Sequence, residues 1–305
     1  RLWRAAARPK TLEMTHRGES HLLLLDGKAA FELPAAKYRI EAYRGTFYKP
    51  AVAEFEVKAG ESRAVTLRFE PVGGARRAEW LSGDDHIHLT RSRADDDLFL
   101  RWIQAEDLNV ANFLQLQRQM DAAVQYAFGR AGEARAPRYS VRPGHESRSA
   151  YYGHVNVLGP RELSRPLSIG TMYGNSVEAY PFPLVLFEQA RKLYGATVGY
   201  AHFNGGASGN LHSTFFMDLA LGTIDFTEVF QFGELKTEEW YRILNAGFRL
   251  TGIAGSDFPA NFGKRSPYPK VIPILGPERT LVKGAAGESA YESWAARVRK
   301  GNVVV

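Results

Sequence analysis

In the run Gly83-Asp84-Asp85-His86-Ile87-His88, two histidines stand two residues apart. On a β-strand, positions i and i+2 share a face, so both imidazoles can reach one metal ion. Strand patterns rarely put two polar rings on one face unless something satisfies the ring nitrogens, and a transition metal does that well. The plain alternative is a strand end with two solvated histidines. The other ionisable residues favour metal. Glu146 lies in Pro143-Gly144-His145-Glu146, His154 in Gly153-His154-Val155-Asn156, His202 after Ala201, and Asp257 after Gly255-Ser256. These six candidate ligands include four of the eight histidines in the chain. A mixed imidazole and carboxylate set suits Zn, Mn or Fe and argues against a calcium-only site.

The elements that must position them change character along the chain. Short alternating runs at 22–25, 29–33, 38–43, 52–57 and 64–69, separated by turns such as Asp26-Gly27 and Ala59-Gly60, predict a small all-β sandwich over residues 1–77. Residues 71–77, Pro-Val-Gly-Gly-Ala-Arg-Arg, read as a linker. From residue 78 to 305, strand-like runs at 80–88, 109–116, 139–144, 155–158, 197–202, 224–230 and 252–257 alternate with helix-like runs. The helix-like runs are 95–105, 183–194, 214–221, 237–246 and 289–300. That alternation predicts α/β architecture with parallel strands. Each candidate ligand falls at or beside a strand end, where β/α barrels build their sites. Asp95, Asp96 and Asp97 are read as a helix start.

The composition is that of a soluble globular chain, with 305 residues, 45% hydrophobic and 24% charged. The absence of cysteine excludes disulfides, thiolate zinc sites and a cysteine nucleophile. No apolar run is long enough to span a membrane. The formal charge of +6 is spread out, with a loose cluster at Arg130, Arg135, Arg138 and Arg142. No basic stripe is interleaved with aromatics, so nucleic acid is not expected as a partner and a small-molecule substrate is. The glycine-rich stretch 204–210 lacks the spacing of a phosphate loop and is read as a lid. The chain begins at Arg1 rather than Met, so it is read as a processed or cut fragment, with a secreted or periplasmic location favoured. The sequence leaves the oligomeric state open.

Taken together, Asp84-x-His86-x-His88, Pro143-Gly-x-Glu146, Gly153-His154-x-Asn156, Ala201-His202 and Gly255-Ser-Asp257 resemble the PHP (polymerase and histidinol phosphatase) superfamily, and within it the CehA/McbA-type metallohydrolases. The segment 32–44 resembles PEGA and carboxypeptidase-regulatory-like β-sandwich modules. The PHP resemblance implies a distorted (β/α)7 barrel and a multinuclear metal site. One ion would take His86, His88, Glu146 and Asp257. A second would share Glu146 and take His154 and His202. The family's third-ion histidines are missing here: none follows His88 before Asp95, the second strand ends at Gln115 and Gln117, and Pro259 stands where the last histidine is expected. Loss of one whole ligand shell, with six other ligands kept, implies two divalent first-row ions about 3.5–4 Å apart and a bridging hydroxide. The subgroup implies ester, amide or carbamate cleavage and the wider superfamily phosphoester cleavage. Loss of the third ion shifts the expectation toward a carbonyl or diester substrate. Asp257 is the candidate for combined ligation and proton transfer, His145 and His212 for general acid, and Arg148 for holding an anionic group. Gln115 and Gln117 are expected to line the vacated region. The sequence of that subgroup runs on past residue 305, so the chain is expected to stop inside or just after the barrel. The competing function is a non-catalytic binding protein that uses the barrel as a scaffold and the β module as its working part.

Overall fold

The computed structural model describes residues 10–16, 19–72, 77–117, 122–149, 152–165, 182–203, 213–260, 275–284 and 289–305. Four strands come first: Thr11–His16 (β1), Glu19–Leu24 (β2), Ala36–Ala42 (β3) and Ala51–Val57 (β4). Among the described residues, β1 pairs with β2 and β3 with β4, as two separate antiparallel hairpins. The runs at 29–33 and 64–69 are not strands, so the described residues form no sandwich. Among the described residues no second sheet covers β3 and β4, and Ile40 and Val52 are exposed. The β1–β2 hairpin behaves differently. Its Leu12 and Leu23, with the adjoining Leu25, are buried in the same apolar cluster as Phe99 and Trp102 of the second region.

That second region carries Trp80–Ile87 (β5), Val110–Gln117 (β6), Ala122–Ala123 (β7), Ala134–Ala136 (β8), Tyr139–Ser149 (β9) and Gly153–Leu158 (β10). It continues with Thr197–Tyr200 (β11), Phe226–Gln231 (β12), Glu234–Leu235 (β13), Thr251–Ala254 (β14) and Thr280–Lys283 (β15). The helices are Asp96–Ala105 (α1), Pro183–Tyr194 (α2), Phe215–Ala220 (α3), Thr237–Asn245 (α4) and Ala290–Arg299 (α5). The strands make one mixed sheet in the order β13-β12-β11-β10-β9-β6-β5-β15, with β14 also on β12. The sheet curls until residues beyond β14 meet β5. His88 N–H donates to the Phe258 carbonyl (2.7 Å) and Phe258 N–H to that of His86 (3.2 Å).

Parallel pairs β5–β6, β6–β9, β11–β12 and β12–β14 match the expectation, whereas β10 runs antiparallel to both neighbours. Chain length explains the reversal. Strand β9 runs on to Ser149, so only residues 150–152 lead into β10, and a parallel crossover needs about a dozen residues or more. Strands that are buried on both faces carry continuous apolar runs. Outside the curl, α1 packs Phe99, Trp102 and Ile103 on Ile87, Phe113 and Val141, and α2 packs Leu186, Phe187 and Ala190 on Val155, Val157 and Val198. Inside, Leu81, Val110, Leu114, Phe226 and Ile253 meet Trp294 of α5 near the starts of the parallel strands. Gly83 makes this possible, because a Cβ there would lie 2.3 Å from the Trp294 indole nitrogen. The end occupied by α5 is therefore filled, and the opposite end is where the candidate ligands collect.

Candidate metal centre

His86 on β5 and His88 just beyond it share a face as the spacing requires, with their Nε2 atoms 3.0 Å apart. Their Nδ1 atoms are already engaged. His86 Nδ1–H donates to Glu228 Oε1 (2.7 Å) and His88 Nδ1–H to the Leu114 carbonyl (3.1 Å). A hydrogen bond at one ring nitrogen fixes the tautomer and leaves the other nitrogen as a ligand. Two carboxylate oxygens complete a compact set. Glu146 Oε2 lies 3.5 Å from His86 Nε2 and 3.0 Å from His88 Nε2, and Asp257 Oδ1 lies 3.4 Å from each. A tetrahedral ion with bonds of about 2.0–2.1 Å holds its donors about 3.3–3.4 Å apart. The five separations that involve a histidine, 3.0–3.5 Å, are close to those of such a shell.

The other oxygen of Glu146 faces a second group. Oε1 lies 2.9 Å from His154 Nδ1 and 3.7 Å from His202 Nε2, while Asp257 Oδ2 lies 3.9 Å from His202 Nε2. His202 also has its Nδ1 engaged, by the Gln231 amide oxygen. Within Glu146, His154 and His202, one donor atom from each lies within 4.8 Å of the others, and the same holds for His86, His88 and Asp257. Glu146 Oε1, His154 Nδ1 and Asp257 Oδ1 are buried atoms without a hydrogen-bond partner of acceptable geometry. Unsatisfied polar atoms in an interior are costly, and a divalent cation between them satisfies all three. The donor set therefore fits a metal. The two groups differ in access: the His86 side chain is 0% exposed and that of His154 is 32% exposed, so the second group faces solvent.

Charge and backbone agree with this assignment. Burial opposes ionisation of Glu146, yet Arg148, His86 and His154 hold its carboxyl well below the usual carboxylate range. Burial likewise opposes ionisation of Asp257, and His86 and His88 hold it ionised. Burial disfavours the cationic form of His86, but Glu228, Asp257 and Glu146 outweigh it and raise its pKa well above the ordinary value; a proton on His86 balances this carboxylate charge in the absence of an ion, and Nε2 must give it up to ligate one. His202 and Asp257 both have left-handed backbones, with φ 54° and 50°. This region is sparsely populated by non-glycine residues and costs about 1–3 kcal/mol each. The chain bends there to turn both side chains onto the site.

Arg148, two residues along β9 from Glu146, shares its face. It donates from Nε to Glu146 Oε2 (2.7 Å) and brings a terminal nitrogen to 3.7 Å from Asp257 Oδ1. His145 is elsewhere. Adjacent strand residues face opposite ways, and His145 is fully buried with neither ring nitrogen hydrogen-bonded. Burial lowers its pKa to about 3, which favours the neutral imidazole and works against the general-acid role expected of it. Gln115, the register partner of His145, accepts from the Gln125 N–H (3.3 Å) and is turned away from the ligands with it. His212, the 204–210 stretch and the side chain of Gln117 lie outside the described residues. Two residues the sequence did not single out, Glu228 and Gln231, surround the site together with Asn156 of the Gly153-His154-x-Asn156 motif. Glu228 orients His86 and accepts the His202 N–H (2.7 Å), Gln231 orients His202, and Asn156 donates to Glu228 Oε1 (3.0 Å). The available signal was Glu228 itself, a carboxylate between Thr227 and Val229 in an otherwise apolar run.

No protein-family model and no curated protein matches the chain. Solved structures similar to it include the following two. One is a two-domain protein from Bacteroides vulgatus containing a predicted PHP-like metal-dependent phosphoesterase, 14% identical, covering 80% of this chain and 68% of its own, TM-score 0.46. The other is PsfC from Pseudomonas syringae, 17% identical, covering 73% of this chain and 94% of its own, TM-score 0.43.

Proposed function

We propose that the chain is a metal-dependent hydrolase of the PHP type that holds two divalent first-row ions and cleaves an ester, amide, carbamate or phosphodiester bond. The observation that carries this reading is Glu146, whose two oxygens face two separate donor groups, one completed by His86, His88 and Asp257 and the other by His154 and His202. When bound, such ions polarise a carbonyl or phosphoryl oxygen and make water acidic enough to serve as a nucleophile near neutral pH. The protein residues supply the rest. Glu228 and the Leu114 carbonyl hold the two imidazoles in their ligand tautomer. Arg148 presents a guanidinium beside the ligand oxygens, where it can hold an anionic or developing oxyanion group of the substrate. Asp257, kept ionised by the histidines around it, is the base that receives a proton from the attacking water. His145 takes no part.

Elemental analysis of purified protein, paired with ester and phosphodiester substrates in the presence of Mn or Zn, tests the proposal. The expected result is about two equivalents of metal per chain, and a loss of both metal and turnover of at least about 100-fold in His86→Ala. Fewer than one tightly bound metal per chain, unchanged by His86→Ala, would sink it and favour a binding protein. Cleavage confined to phosphomonoesters would overturn the substrate class alone.

A further inference from the structure

Two members of the loose arginine cluster, Arg130 and Arg142, line a cavity of about 530 Å3 far from the histidines, and Arg161 and Arg299 join them there. The cavity lies between the turn at Gly129–Gly132, the chain leaving β10, the C-terminal end of α2 and the outer side of α5. Arg142 is at its buried base, with its guanidinium 4.7 Å above the Tyr291 ring, one nitrogen on Glu133 (2.8 Å) and its Nε without a hydrogen-bond partner. The other three are exposed. Arg161 donates from one terminal nitrogen to the Leu193 carbonyl, and Arg299 from one to Thr197 Oγ1 (2.6 Å). Each guanidinium carries five N–H groups, so these tethers fix the side chains and leave most donors available. Glu133 behind Arg142, Glu292 on the rim and Asp225, which lies within electrostatic reach of Arg299, are carboxylates beside the four arginines, and positive charge is still in excess.

Held guanidinium forks match phosphate oxygens in geometry and charge. The volume is within the range of small-ligand pockets, about 300–1,000 Å3. Arg142 and Glu146 share a face of β9 four residues apart, roughly 13 Å, so the cavity is separate from the metal centre. We propose that this cavity is a binding site for a small phosphate-bearing anion with at least two negative charges. The phosphate can be carried by a nucleotide, or it can be free or sugar-borne.

The test is isothermal titration of the metal-free full chain with pyrophosphate, ADP and citrate. Pyrophosphate is expected to bind once per chain with a Kd below about 1 mM, to weaken with added salt, and to bind at least about 10-fold more weakly to the Arg130→Ala/Arg299→Ala variant. These two side chains are exposed, so the variant keeps the fold, which its thermal melt checks. His86→Ala is expected to leave the affinity unchanged, which keeps this result independent of the metal reading. ADP binding more tightly than pyrophosphate assigns the source to a nucleotide, and the reverse order to free or sugar-borne phosphate. The proposal is overturned by an absence of binding, by citrate binding as tightly as either phosphate, or by affinity lost in His86→Ala and kept in the arginine variant.

Discussion

Glu228 shows how one side chain can set the chemistry of another. It is buried, holds His86 at 2.7 Å, and takes the backbone N–H of His202 with its other oxygen. Burial opposes its ionisation, and His86 draws its pKa below the ordinary value all the same. Replacing it as Glu228→Gln preserves volume but turns one of its two acceptor oxygens into a donor NH2, so the His86 Nδ1–H and the His202 N–H can no longer both be accepted. Metal affinity is expected to fall about 10–100-fold, measured by competition against a chromophoric chelator while circular dichroism stays unchanged. Undiminished affinity would show that His86 needs no such orientation. At this scale the six residues that converge were legible as candidate ligands because each sits beside a strand end in a distinctive short motif. Glu228 was not, because a lone carboxylate in a strand reads equally well as the wet face until its neighbours are known. His145 was expected beside the ligands, but adjacency to Glu146 in sequence means opposite faces on a strand.

Among elements, β15 brings a second buried carboxyl close to the site. Glu278, just before β15, accepts the Gly233 N–H (2.7 Å) with one oxygen and has no partner for the other. Burial pushes its pKa up to about 8 from an ordinary 4.5. The folded protein thus holds this proton where the unfolded chain releases it. The stabilisation is present in full below pH 4.5 and is lost as pH rises toward 8, at about 1.4 kcal/mol per pH unit. Urea titrations of the metal-free protein at pH 5 and pH 8 are expected to show this decline, and Glu278→Gln to flatten it. An equal decline in both proteins would place its origin elsewhere. Helices were the elements read best: all five, α1 to α5, lie within a residue of their expected bounds at each end. The strands at 29–33 and 64–69 did not form, since alternation makes a strand only where a partner and a core face receive it. The direction of β10 depended on where β9 stops.

For the whole molecule, the expected boundary at residue 77 divides the chain by texture, but the packing crosses it. Leu12, Leu23 and Leu25 are buried with Phe99 and Trp102, and Asp26 pairs with Arg101 of α1 at 3.1 Å. Removing residues 1–77 would uncover that apolar face of α1. The truncated chain is expected to melt at least about 5 °C below the full chain, because three buried leucines are worth several kcal/mol. An equal melting temperature in calorimetry would show that the hairpin is an independent appendage. By itself the sequence determined that the chain carries a mixed imidazole and carboxylate set fit for first-row metal ions, which strand ends present it, and which helices surround it. These follow from residue type and local period. Only the tertiary structure decided that Glu146 divides its oxygens between two groups, that Glu228 and Gln231 orient histidines distant in sequence, that His145 faces away, and that four scattered arginines share a cavity. Each of these depends on which strands become neighbours and in what register, and those are long-range pairings that no local pattern encodes.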